Sequence, residues 1–145
     1  MFKHILLPTD GSDLSTRAVK LGIELAQACH ARVYALHVVS PYHTVSYMAE
    51  MLAATEATYM QEATARAERY LAQVQHAAKV ANVEYDGSHV LNDHPHEAII
   101  ETVDKQHCDL VVMASHGRHG VARLLLGSET HKTLLKSSVP VLVCH

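Results

Sequence analysis

The chain has 145 residues, 48% hydrophobic and 19% charged, a balance that suits one globular domain with its own core and excludes a disordered segment. The formal charge of -3, with a pI near 6.5, gives no electrostatic case for nucleic acid as a partner. No apolar run approaches the roughly 20 residues that span a bilayer, and the opening Met1-Phe2-Lys3-His4-Ile5 enters a strand-like run directly. These features predict no signal peptide, no membrane partner and a cytoplasmic location.

Ile5-Leu6-Leu7 followed by Pro8-Thr9-Asp10-Gly11-Ser12 predicts a short buried strand ending in a polar turn. Ser12 suits an N-cap, with Asp13 in the first turn where a helix favours an anion. Leu14, Ala18, Leu21, Leu25 and Cys29 recur at helical spacing, predicting a face against a sheet. Ala31 to Val39 is apolar almost throughout, as a strand covered on both faces should be. After a looser connection over 40–48, Leu52, Tyr59, Ala63, Tyr70 and Val74 mark one stripe of a long Ala- and Glu-rich helix ending near Lys79. Ala81, Val83 and Tyr85 alternate with Asn82 and Glu84, predicting an edge strand with one wetter face; Asp86 and Asp93 are expected in turns. Ala98, Ile99, Thr102 and Val103 form a shorter helical face. Leu110 to Ala114 predicts a fourth strand and Val139 to Cys144 a fifth, with a helix holding Leu134 and Leu135 between them.

Five strands alternating with four helices, without linker or repeat, predict a single α/β domain over residues 1–145. The expected architecture is a Rossmann-like open five-stranded parallel sheet with helices on both faces; the order 3-2-1-4-5 is the one expected for it, but alternation alone does not prove that the first and fourth strands are neighbours. Ligands of such sheets gather outside the carboxyl ends of strands where the winding reverses. Two polar turns leave carboxyl ends: Thr9 to Ser12, and the loop after Ala114.

That second loop reads Ala114-Ser115-His116-Gly117, nine residues, then Gly127-Ser128. Gly117 and Gly127 let backbone come close to a ligand, and Ser128 opens a helix whose N–H groups attract anions. The run Lys3 to Ser12, the strand end His37-Val38-Val39, the loop from Val111 to Ser128 and the closing Ser137 to Val143 together resemble the universal stress protein family. The nucleotide-binding branch of that family carries Gly, two residues, Gly, nine residues, then Gly with Ser or Thr. Ala114, Gly117, Gly127 and Ser128 fall on those positions, so alanine replaces the first glycine.

The resemblance implies ATP or another adenine nucleotide as ligand, with Mg²⁺ accompanying a triphosphate. Asp10, preceded by Pro8 and Thr9, would meet the ribose hydroxyls or help hold the metal, and Val38 would lie beside adenine. Backbone N–H groups around Ser115, His116, Gly117 and Arg118, and from Gly127 through Ser128 to Glu129, would face the phosphates. The Ser128 and Thr130 hydroxyls and the Arg118 guanidinium would add contacts. Glu129 would contribute through its backbone only. The resemblance also implies a homodimer through the strand from Val139 to Val143.

Blander readings stand beside these. Asp10 also suits a local backbone cap, Arg118 a solvated side chain, and the glycines a simple loop with Ser128 as N-cap. The paired histidines His116 with His119, and His94 with His96, lack the acidic or cysteine partners of a metal site. Cys29, Cys108 and Cys144 have no metal-type spacing, and reduced, mostly buried thiols are expected. There is no assignable catalytic triad and no P-loop lysine, so hydrolysis is expected to be slow or absent. The alternative function is a nucleotide-independent dimer acting through contacts with an unidentified protein partner.

Overall fold

The computed structural model describes residues 1–42, 55–117 and 125–145. Strand β1 (His4–Pro8) leads through a tight turn to helix α1 (Asp13–Cys29), and strand β2 (Arg32–Val39) follows. Helix α2 (Glu56–Val80), strand β3 (Tyr85–Leu91) and helix α3 (Pro95–Gln106) come next, then β4 (Leu110–Ala114), α4 (Ser128–Lys136) and β5 (Val141–Cys144). The sheet order is β3-β2-β1-β4-β5, the expected one, and every pairing is parallel, as the alternation requires.

Both faces of the central strands are covered, which is why β1 and β4 are apolar at nearly every position. On one face Ile5, Leu7, Val33, Ala35 and Val112 pack with Val19, Ile23 and Ala26 of α1 and Val74 and Ala78 of α2. On the other, Leu6, Leu36, Val111 and Met113 pack with Ala98, Ile99 and Val103 of α3. The expected α3 face, including Thr102, is buried.

Four expectations are corrected. The buried face of α1 is Ser15, Ala18, Val19, Gly22, Ile23 and Ala26, whereas Leu21 is exposed. Leu7 of β1 fills the space over Gly22, where a Cβ would strike its side chain. Ala18 of the expected stripe is buried and Leu25 and Cys29 pack against the core, so only Leu21 departs from it. Residues 81–84 are not a strand: Asn82 takes φ 56° and the Val83 N–H reaches back to the Ala78 carbonyl at 2.8 Å, closing α2. The strand begins only at Tyr85, so Asp86 lies within β3 rather than in a turn; its place at the sheet edge is as expected. The fifth strand starts at Val141, two residues after the expected Val139. The start of the long helix is described only from Glu56, and Leu52 lies outside the described residues.

The three cysteines are free; Cys108 is buried and the other two are half-buried. Burial raises the Cys108 thiol to about 11, so it is protonated at neutral pH. Among the described residues no helix is long and apolar enough to cross a membrane.

Candidate functional site

The winding of the sheet reverses between β1 and β4, which are hydrogen-bonded neighbours. Their carboxyl ends therefore open into one crevice, the position where such sheets take ligands. A cavity of about 580 Å³ lies there. Within the usual range for small-molecule sites, it is lined by both polar turns, the end of β2, one face of α2 and the start of α4.

The turn after β1 is built from its own side chains. Asp10 Oδ1 accepts from the Ser12 N–H at 2.9 Å, and the Ser12 hydroxyl accepts from the Ser15 N–H at 3.2 Å, so Ser12 caps α1. The buried Thr9 hydroxyl lies 3.2 Å from that of Ser15. Gly11 has φ +77° and packs where a Cβ would meet the Tyr70 ring, so the turn demands glycine twice over. The other carboxylate oxygen of Asp10 lies on the side of the second turn: a Cβ at Gly117 would sit 2.8 Å from it.

The second turn is held by β5 and α4. The Ser115 N–H donates to the Cys144 carbonyl and the Gly127 N–H to the Ser115 carbonyl, both at 2.7 Å. A Cβ at Gly127 would stand 3.0 Å from the Ser115 carbonyl oxygen and from the His116 Cα. Gly127, not Ser128, is the N-cap of α4, so Ser128 is the first helical residue. The N–H groups of Ser128, Glu129 and Thr130 then make up the unpaired first turn. The Thr130 hydroxyl donates to the Ala114 carbonyl at 2.9 Å, fixing α4 to the end of β4.

Glu129 points away from the crevice mouth toward α3. One carboxylate oxygen accepts from both the backbone N–H and the ring Nδ1 of His96 at 2.8 Å, and the other is 3.6 Å from Lys132. Burial works against its ionisation, but the bonds and charges of His96, with Lys132, outweigh it and hold its carboxyl below the ordinary value.

The structure places Pro8, Thr9, Asp10, Val38, Ala114, His116, Gly117, Gly127, Ser128, Glu129 and Thr130 around the one cavity. Ser115 is buried behind it, with its N–H committed to β5. Arg118 and His119 lie outside the described residues. Ala114 is an ordinary strand residue paired with Cys144, so alanine brings no backbone strain there. Among the described residues no three metal-ligating side chains cluster.

Sequence patterns missed the wall opposite α4. His37, Tyr59, Arg66 and Tyr70 all line the cavity. The His37 Nδ1 faces the Thr9 carbonyl at 2.8 Å, and its ring meets Tyr70 edge-on at 5.1 Å. Burial lowers the His37 pKa; the Thr9 carbonyl and Asp10 oppose this, and Arg66 adds to it. The ring is therefore neutral at pH 7, with its proton on Nδ1 because a carbonyl only accepts. The spacing of residues 59, 63, 66 and 70 was the available signal, since these positions share one helix face.

Fold and crevice together define an open parallel α/β domain with a cavity at the strand reversal. Residues 1–145 match the universal stress protein family throughout, and the chain belongs to that family. Universal stress protein MJ0531 of Methanocaldococcus jannaschii is 34% identical over 99% of this chain and 82% of its own length. A universal stress protein of Thermus aquaticus is also 34% identical, over 99% and 98% of the two chains. Among solved structures, that of MJ0577, also from Methanocaldococcus jannaschii, superposes with a TM-score of 0.79 at 26% identity, covering 99% of this chain and 96% of that one. A universal stress protein solved in complex with cAMP gives 0.74 at 28% identity, covering 99% and 97%.

Proposed function

We propose that this protein binds an adenine nucleotide, ATP included, at the β1/β4 crevice and serves as a nucleotide-responsive regulator with slow or no hydrolysis. One observation carries the reading: the Asp10 carboxylate, the glycine turn at Gly117 and the unpaired first turn of α4 line the same cavity. Its volume suits a nucleotide, and a relative of similar fold is solved with cAMP.

In this reading the Asp10 oxygen nearer Gly117 accepts from ribose hydroxyls, and the Val38 backbone borders adenine. The His116, Gly117, Ser128, Glu129 and Thr130 N–H groups meet phosphate oxygens, and the Ser128 hydroxyl adds a bond. Ser115 and Gly127 shape the turn without donating, since their N–H groups are spent. The Thr130 hydroxyl is likewise spent, on Ala114. Because the Glu129 carboxylate is drawn toward His96, its charge is partly offset near the phosphates. Mg²⁺ accompanying a triphosphate would bind through phosphate oxygens, waters and one or two carboxylates, a role Asp10 fills only as the alternative to its ribose contact. The chain has no P-loop lysine to draw off phosphate charge, which favours retention over turnover.

Titration calorimetry with ATP and Mg²⁺ tests the proposal. Saturable heat with a rise in melting temperature is expected; no heat and no melting shift at millimolar ATP would favour the nucleotide-independent alternative. A homodimer is proposed alongside, because β5 ends the sheet with its outer backbone edge unpaired and Leu142 exposed.

A further inference from the structure

Helix α2 turns one face to the crevice, with Tyr59, Ala63, Arg66 and Tyr70 lining it. Its two tyrosines are held by neighbours: the Tyr59 hydroxyl donates to the Ser40 carbonyl at 2.6 Å, and the Tyr70 ring packs on His37. Arg66, half-buried between them, enters no ion pair and no hydrogen bond among the described residues. The other fixed charges lining the described cavity are acidic, Asp10 and Glu129, and Glu129 is paired with His96 and Lys132. A guanidinium cannot shed its charge, and its five donors match phosphate oxygens. In a concave wall with apolar neighbours, such a cation gains most from an anion brought by the ligand. His37 does not compete, since it stays neutral.

We propose that Arg66 reads the charge of the ligand, donating to phosphate oxygens from the α2 wall while the first turn of α4 holds them from the other side. The inference rests on the nucleotide reading above and extends it. Selection of nucleoside phosphates over nucleosides is assigned to a side chain as well as to backbone N–H groups. Arg66 lies on α2, which packs over β2, with β1 between β2 and β4. Adjacent strands are about 4.8 Å apart, so β2 and β4 are separated by about 10 Å, a gap that the long Arg66 side chain and a phosphate chain would span together across the Asp10 turn.

The test measures binding of adenosine, AMP and ATP to the wild type, Arg66→Gln and Arg66→Lys, at low and high salt. Arg66→Gln should weaken AMP and ATP by about three- to tenfold, the range of a partly exposed charged contact. Adenosine should stay within about twofold, Arg66→Lys should recover most of the loss, and the salt dependence of ATP binding should become shallower in Arg66→Gln. Equal weakening of adenosine and ATP, or no weakening of either, would overturn the assignment while leaving the nucleotide reading intact. Failure of the wild type to bind any of the three would remove the nucleotide reading and this inference with it.

Discussion

Substituting Gly117 with alanine separates the geometry of the site from the stability of the fold. The new Cβ would lie 2.8 Å from an Asp10 carboxylate oxygen, and ordinary contact begins at 3.4 Å, so that oxygen must retreat by about 0.6 Å. Asp10 Cγ is already 3.9 Å away, and the strain falls on the end of a rotatable side chain rather than on backbone. Gly117 is exposed, and alanine also lowers the entropy of the unfolded chain, so stability should change by less than about 1 kcal/mol. Binding should change far more. Loss of one charge-assisted hydrogen bond from Asp10 to ribose costs about 1.5–3 kcal/mol, or roughly tenfold to a hundredfold in affinity. Calorimetric titration with ATP and thermal melts of wild type, Gly117→Ala, Asp10→Ala and the double variant read both quantities. Gly117→Ala should have no further effect on affinity once Asp10 is gone. Additive losses in the double variant, or a lower melting temperature with unchanged affinity, would refute the reasoning.

Gly127→Ala should behave differently, because its Cβ meets backbone at 3.0 Å and threatens the 2.7 Å bond from Gly127 to Ser115. It should lose about 1–3 kcal/mol of stability as well as affinity, seen in denaturant melts and titration. Acid should erode stability in two stages. Burial, as the leading cause, holds His4 below its ordinary value of 6.5, so the unfolded chain binds more protons below that pH and stability falls through the lowered folded value. His4→Gln should flatten this slope in melts taken between pH 7.5 and about 5. Glu129 acts lower: its contribution is present above its ordinary 4.5 and is lost as pH falls through its depressed folded value. Glu129→Gln should remove that second decline from the same melts. His107, which closes α3 at φ 54°, pays for a left-handed backbone with a side chain, and His107→Gly should stabilise by about 0.5–1 kcal/mol in urea denaturation.

The parallel sheet covered on both faces was legible because strands and helices alternate, although alternation leaves the strand order open, and β4 was legible to the residue because its five apolar positions are bounded by polar turns. The face of α1 was not, since two stripes compete in its sequence and Gly22 becomes the inner one only when Leu7 packs over it. Nor was the start of β3, where the alternation through residues 81–85 is overridden by the closure of α2 at Asn82. At the site, Asp10, Gly117 and Gly127 could be placed because turn chemistry is local. Arg66 and His37 could not. Their roles depend on α2 packing over β2, and on the Thr9 carbonyl from the turn after β1, which fixes the His37 ring. The engagement of the Ser115 N–H was equally hidden, because its partner Cys144 is 29 residues away.

The most direct test of the account is amide chemical-shift mapping of isotopically labelled protein during titration with ATP and Mg²⁺. Signals of Asp10, Val38, His116, Gly117, Ser128 and Glu129 should move together along one saturating curve, with those of Ser88 and Glu101, which line a separate cavity of about 140 Å³ between β3 and α3, unchanged. Shifts confined to that second cavity, or no saturable shift in the crevice residues, would contradict the claim that the β1/β4 crevice is a nucleotide site.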